Sequence, residues 1–253
     1  MRISLVNHPF KISGSFVITA IGSDGIIMAS EARANIFDRR DIKQEPIGYF
    51  DTIQKVFPKN NMAIAETGQG VIADVFFSAL INDFYTKLDN CSADNILPSL
   101  IDYANSFLPK EIHHDFFNQK LFSAGYHNSI PTICHFNNQQ IPNLGCITEG
   151  YIQSDKTIFG DKYSSKMNCR ELAQLADEAI KEYASHFDRW KTIGGPTSVL
   201  QITQSKTEWL LNQPVTPKWT YVHEFIADYK SKSVSINLIE PYTKEDLHAI
   251  LGI

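Results

Sequence analysis

The spacing of apolar positions changes along the chain, and the changes mark out its elements. Residues 15–21 (SFVITAI) form a run rich in β-branched side chains. Ser23-Asp24-Gly25 then carries a turn signature, and a second apolar run covers 26–29. Two such runs around a Gly-containing turn predict a hairpin. Residues 35–51 are polar and charged and predict an excursion before the next strand. Lys55-Val56-Phe57 and Met62–Ala65 predict a second hairpin, turning at 58–61. After Gly68 and Gly70, the positions Val71, Val75, Phe76, Ala79, Leu80 and Phe84 lie three or four apart and predict a helix over 71–88. A second helix is predicted over 93–107, with Pro98 in its early part. Residues 121–137 read as a strand pair turning at 128–131, and 146–153 continue the β pattern.

The strongest helical pattern follows Asn168. Glu171 stands three residues on, at capping-box spacing, and a stripe runs from Leu172 through Leu175, Ala176, Ala179, Ile180 and Tyr183 to Phe187. That stripe reads as core packing. Gly194-Gly195-Pro196 reads as a tight turn, with a further hairpin at 198–203 and 208–211. The C-terminal forty residues offer a strand at 234–239 and a short helix from Lys244. Runs of strands alternating with runs of helices argue against a parallel βαβ sheet and suit two antiparallel sheets flanked by helix layers.

Composition bounds the function classes. The 253 residues suit one large domain or two small ones, and a chain this long buries enough surface to need no disulfide or metal staple. A net charge of -5, with no basic stripe, argues against nucleic-acid binding. The N-terminus lacks an apolar core of signal-peptide length, and no stretch approaches the roughly 20 apolar residues that cross a bilayer, so a cytoplasmic, membrane-free protein is expected. Cys91, Cys134, Cys146 and Cys169 have no CxxC spacing and read as free thiols. His113-His114-Asp115 and Cys134-His135 are consecutive; neighbours on a strand point to opposite faces, so neither group predicts a metal site, and no cofactor is expected.

Four segments, taken in order, resemble a proteasome subunit. They are GSFVITAIGSDGIIMASEARA (14–34), QKVFPKNNMAIAETGQGVIAD (54–74), LFSAGYH (121–127) and RELAQLADEAIKEYA followed by GGPTSVLQIT (170–184 and 194–203). The resemblance implies an α+β fold, the four-layer αββα sandwich of the N-terminal-nucleophile (Ntn) hydrolases. Residues 1–14 would be an N-terminal propeptide or extension, and 15–253 a single domain with an extended C-terminal segment.

The family cleaves amide bonds with an N-terminal residue whose hydroxyl attacks and whose freed α-amine serves as general base. A lysine lowers the hydroxyl's pKa, an acid orients the lysine, and backbone N–H groups at a glycine turn hold the oxyanion. Carried over by position, Ser15 stands at the nucleophile behind Gly14, Glu31 at the acid with Arg33 beside it, and Lys55 at the lysine. Gly68 and Gly70 fall at the oxyanion turn, with the register left open. Without the resemblance, Ser15 is a strand-start residue, Lys55 a solvated lysine, and Glu31 with Arg33 a surface pair.

The departures bear on activity. The family's peptidases favour Thr and Asp where this chain has Ser15 and Glu31, and its non-catalytic subunits often carry Ser and Glu. Trp190 and Ile193 stand where the peptidases place an Asp and a Ser, with Asp188 and Thr192 near but out of register. Phe159-Gly160-Asp161 replaces a Ser-Gly-Ser loop. Three functions follow: a self-processing peptidase acting on peptide or amide substrates, a non-catalytic scaffold or gating subunit that keeps its N-terminus, and an amidase acting on a small molecule. A homo-oligomeric ring is implied, with Phe76, Phe77, Phe84 and Tyr85 as candidate interface aromatics.

Overall fold

The computed structural model describes residues 10–14, 16–38, 46–51, 53–68, 70–72, 75–88, 91–107, 120–136, 146–150, 158–186, 192–214, 221–228 and 233–239. The first predicted hairpin is β2 (Phe16–Gly22) and β3 (Gly25–Glu31), turning at Ser23-Asp24. These strands lie inside a five-stranded antiparallel sheet, completed by β12 (Cys146–Gly150), β13 (Thr197–Ile202) and β14 (Thr207–Leu211), in the order β12-β2-β3-β13-β14. The central strand β3 is buried at every position, and this explains its run of apolar and small residues from Gly25 to Ser30, before the buried Glu31 that ends it.

A second antiparallel sheet has the order β11-β10-β7-β6, from β6 (Val56–Lys59), β7 (Met62–Thr67), β10 (Lys120–His127) and β11 (Ile130–Phe136). Pro58 and Pro131 lie in its two edge strands, where a missing N–H breaks no inner ladder.

Three buried clusters relate these sheets to the helices. Val17, Ile26 and Met28 of the first sheet meet Ala63, Ala65, Phe122 and Ile133 of the second. On the second sheet's other face, Phe57, Ile64 and Leu121 pack with α1 (Phe77–Lys87) and α2 (Ile96–Phe107) through Leu80, Ile81, Phe84, Leu97 and Leu100. On the first sheet's other face, Phe16, Ile18 and Ile27 pack with α3 (Ile158–Lys162) and α4 (Cys169–His186) through Phe159, Leu172, Ala176 and Tyr183. The α4 stripe from Leu172 to Tyr183 is therefore core, as its spacing predicts, and Phe187 lies outside the described residues. The capping box forms: Asn168 Oδ1 accepts from the amides of Arg170 and Glu171 at 3.0 Å each, and Glu171 accepts from the Asn168 amide at 2.8 Å.

Several expectations change. The predicted 71–88 helix begins only at Phe77. Val71–Ile72 (β8) and Val75–Phe76 (β9) are short strands, whose four-residue repeat mimics a helical period. They belong to a four-stranded sheet, β16-β15-β9-β8, with β15 (Tyr221–Asp228) and β16 (Ser233–Ile239). Part of the 35–51 excursion is regular: β4 (Ala34–Asp38) and β5 (Pro46–Phe50) pair with each other, and β4 also pairs with β1 (Phe10–Ser13). Phe159-Gly160-Asp161 is helical rather than a loop. Phe77, Phe84 and Tyr85, proposed above for an interface, are buried beneath α1. The Phe76 side chain and the segment from Lys244 lie outside the described residues.

Candidate active site

Glu31 ends β3, and Lys55 precedes β6. Both side chains are wholly buried, at 0% exposure, and the Lys55 ammonium is paired to Glu31 Oε1. Lys55 Nζ also donates to the Arg33 carbonyl at 2.6 Å. Glu31 is the hub of the arrangement. Its Oε1 accepts from the Phe16 amide at 3.0 Å, and its Oε2 accepts from the amides of Arg33 at 2.5 Å and Gly194 at 3.4 Å. Burial pushes this carboxyl above the ordinary range, while Lys55 and the amides of Arg33 and Phe16 pull it back. The surface-lysine and surface-pair alternatives for these residues are overturned by that burial.

Arg33 meets Lys55 through its backbone carbonyl, and its side chain turns to Asp51. It forms a two-pronged pair with Asp51, at 2.7 and 2.9 Å, and lies 3.7 Å beneath the Tyr49 ring. The turn at Gly194-Gly195 packs over this pair. A Cβ on Gly194 would sit 2.5 Å from Arg33 Cζ. The tight turn read from the sequence is present, with Gly195 at φ +74°, and it also supplies an N–H to Glu31.

Ser15 lies outside the described residues, but its chain neighbours are both fixed. Phe16 donates to Glu31, and Gly14 donates to the Gly68 carbonyl at 3.1 Å. Gly14 has φ +122°, and a Cβ there would fall 2.4 Å from Asn35 Nδ2, so only glycine fits. Gly70 donates its N–H to the Ile12 carbonyl at 3.1 Å. The two glycines of the expected oxyanion turn are thus engaged by the segment that precedes Ser15.

Four residues that sequence reasoning did not assign to the site join it: Asp51, Asn35, Glu66 and Gly194, the last read only as part of a tight turn. Asn35 is fully buried and donates to the Thr192 carbonyl at 2.8 Å. Glu66 is 1% exposed at the end of β7, and its amide donates to the Lys55 carbonyl at 3.0 Å. A charged residue closing an apolar strand reads as a solvent-facing end, so only the surrounding tertiary layers reveal its burial. Ile193 is buried in the core, and Asp188 and Trp190 lie outside the described residues.

The free thiols of Cys91, Cys134 and Cys169 are all pushed up by burial, Cys169 to about 12. None is a ready nucleophile. Among the described residues no cluster of three or more His, Cys, Asp or Glu could hold a metal ion, and His113-His114-Asp115 lies outside them. Among the described residues no helix is long and apolar enough to cross a membrane.

The fold has counterparts among solved structures. One solved structure that shows it is a Gly-1 mutant of Anbu from Hyphomicrobium sp. strain MC1. It matches with a TM-score of 0.54 and 12% identity, over 80% of this chain and 90% of that one. At that identity the likeness is one of fold. No protein-family model and no curated protein matches the sequence.

Proposed function

We propose that the chain is a proteasome-like Ntn hydrolase, a four-layer αββα sandwich that uses Ser15 as N-terminal nucleophile after cleavage of the Gly14–Ser15 bond. One observation carries this reading. The Phe16 amide and the Lys55 ammonium share the same oxygen of Glu31, so the buried cation shares its acceptor with the residue that follows Ser15 in the chain. In the proposed roles, Lys55 lowers the pKa of the Ser15 hydroxyl, Glu31 orients Lys55, and the freed α-amine takes the hydroxyl proton. Loss of residues 1–14 would release the Gly70 N–H from Ile12, returning a donor to the expected oxyanion turn. The substrate class is a peptide or another amide, and the proteasome-like fold supports a homo-oligomeric ring.

The second reading is a scaffold subunit that keeps its N-terminus. It is favoured by β1, which is paired along β4 from Phe10↔Asp38 to Ser13↔Asn35. Intact mass and N-terminal sequencing separate the two, together with turnover of a peptide and amide panel by wild type, Ser15→Ala and Lys55→Ala. Ser15 as first residue, with turnover lost in both folded variants, supports the hydrolase. A retained Gly14–Ser15 bond and no turnover leave the scaffold.

A further inference from the structure

The roles above give Glu66 nothing to do, yet it adjoins the charge centre. It faces Lys55 across the opening of the β6–β7 ladder through the backbone hydrogen bond between them. Its Oε2 is buried and has no hydrogen-bond partner among the described residues. The charged groups acting on it are Lys55, from the segment before β6, and Glu31, from β3. From β10 the opposing residue is the apolar Leu121. One cation and two carboxyl groups therefore share a site in which each side chain is at most 1% exposed. With Glu66 neutral, the centre balances as one ammonium and one carboxylate. With Glu66 ionised, it holds an uncompensated negative charge away from water, which is strongly unfavourable.

We propose that Glu66 is a positioning residue that works by carrying a proton: as the neutral acid it leaves the Lys55 ammonium to Glu31 and the Arg33 carbonyl, and as a carboxylate it competes with Glu31 for that ammonium. Burial raises the Glu66 carboxyl to about 8, against the pull of Lys55 and with the push of Glu31, so the exchange falls just above neutrality. The linkage to stability has a definite sign. The folded chain keeps a proton that the unfolded chain releases from about pH 4.3 upward, so stability falls as pH rises through this window and levels off above about 8. The effect on turnover rests on the hydrolase reading. The effects on protonation and stability do not.

The test uses the full chain with 13C-labelled glutamate carboxyls, followed by NMR from pH 5 to 10, with Glu66→Gln as the neutral mimic that identifies the Glu66 signal. The expected result is a Glu66 midpoint near 8 and a Glu31 signal that moves with the same midpoint in wild type but not in Glu66→Gln. A Glu66 midpoint near the ordinary value of about 4.3, or a Glu31 signal blind to Glu66, overturns the proposal. If Glu66→Gln does not fold, the wild-type titration still decides, because it shows whether any glutamate titrates near 8 in step with a second one. For turnover, wild type should fall about tenfold from pH 7 to 9, following the protonated fraction of Glu66, and Glu66→Gln should lose that fall. An alkaline limb unchanged in Glu66→Gln counts against the proposal. Absence of turnover at every pH strikes the hydrolase reading instead and leaves the NMR result to decide on Glu66.

Discussion

Glu31 and Arg33 are two residues apart, yet their ion pairs obey different physics. The Lys55–Glu31 pair is at 0% exposure on both sides, whereas Arg33 and Asp51 keep side-chain exposures of 13% and 32%. In the inner pair each charge has lost its water and is held by the other and by backbone groups, so removing one strands the other. In the outer pair solvent screens the charges, and what matters is shape: the two-pronged fit to Asp51, the Tyr49 ring above, and the glycine turn packed alongside. The inner pair has the environment in which proton chemistry can be tuned. The outer pair holds the wall around it.

That contrast can be broken most sharply at Lys55. Lys55→Met should destabilise the fold by about 3–5 kcal/mol, because Glu31 is left buried and unpaired, and adding Glu31→Gln should recover much of the loss. Urea unfolding of both variants measures this, and a single-variant loss below about 1 kcal/mol would contradict the account. Gly194→Ala comes next. Its methyl group would overlap the Arg33 guanidinium and should cost about 1–3 kcal/mol through overpacking, read from the same unfolding curves. A neutral result would mean that the turn yields without disturbing Arg33. The smallest effect belongs to Asp51→Asn, which keeps the shape and removes one charge of a screened pair. It should cost about 1 kcal/mol or less, and that loss should shrink in high salt. A larger, salt-insensitive loss would place this pair in the same class as the inner one.

Much of the fold was legible because its signals are local. The Asp-Gly turn fixed the β2–β3 hairpin, and the Asn168 capping box fixed the start of α4. The meeting of Glu31 and Lys55 was implied by the resemblance, which puts one at the acid and the other at the lysine it orients. What stayed hidden depends on partners remote in sequence. Val71, Val75 and Phe76 keep a helical spacing, but they lie in two short strands, and β9 pairs with β15 from the other end of the chain. Aromatics on several faces of α1 suggested an exposed interface, but Phe77, Phe84 and Tyr85 fill the core around Phe57 and Leu121. Asp51 looked like one more charge in a polar run until Arg33 reached it, and nothing in the sequence set Glu66 apart.

The hub at Glu31 also has a place in time. Its bond to Gly194 closes a span of 163 residues, and the neighbouring bond from Asn35 to Thr192 closes one of 157. Contacts of such separation carry a large loop-closure entropy and belong to the slow end of folding. A nascent chain that has already made Phe16, Glu31, Arg33 and Lys55 therefore holds an unfinished hub. The carboxylate collects this donor only after Gly194 has been synthesised and the turn has closed over Arg33, so the corner is completed late, by a residue far along the chain.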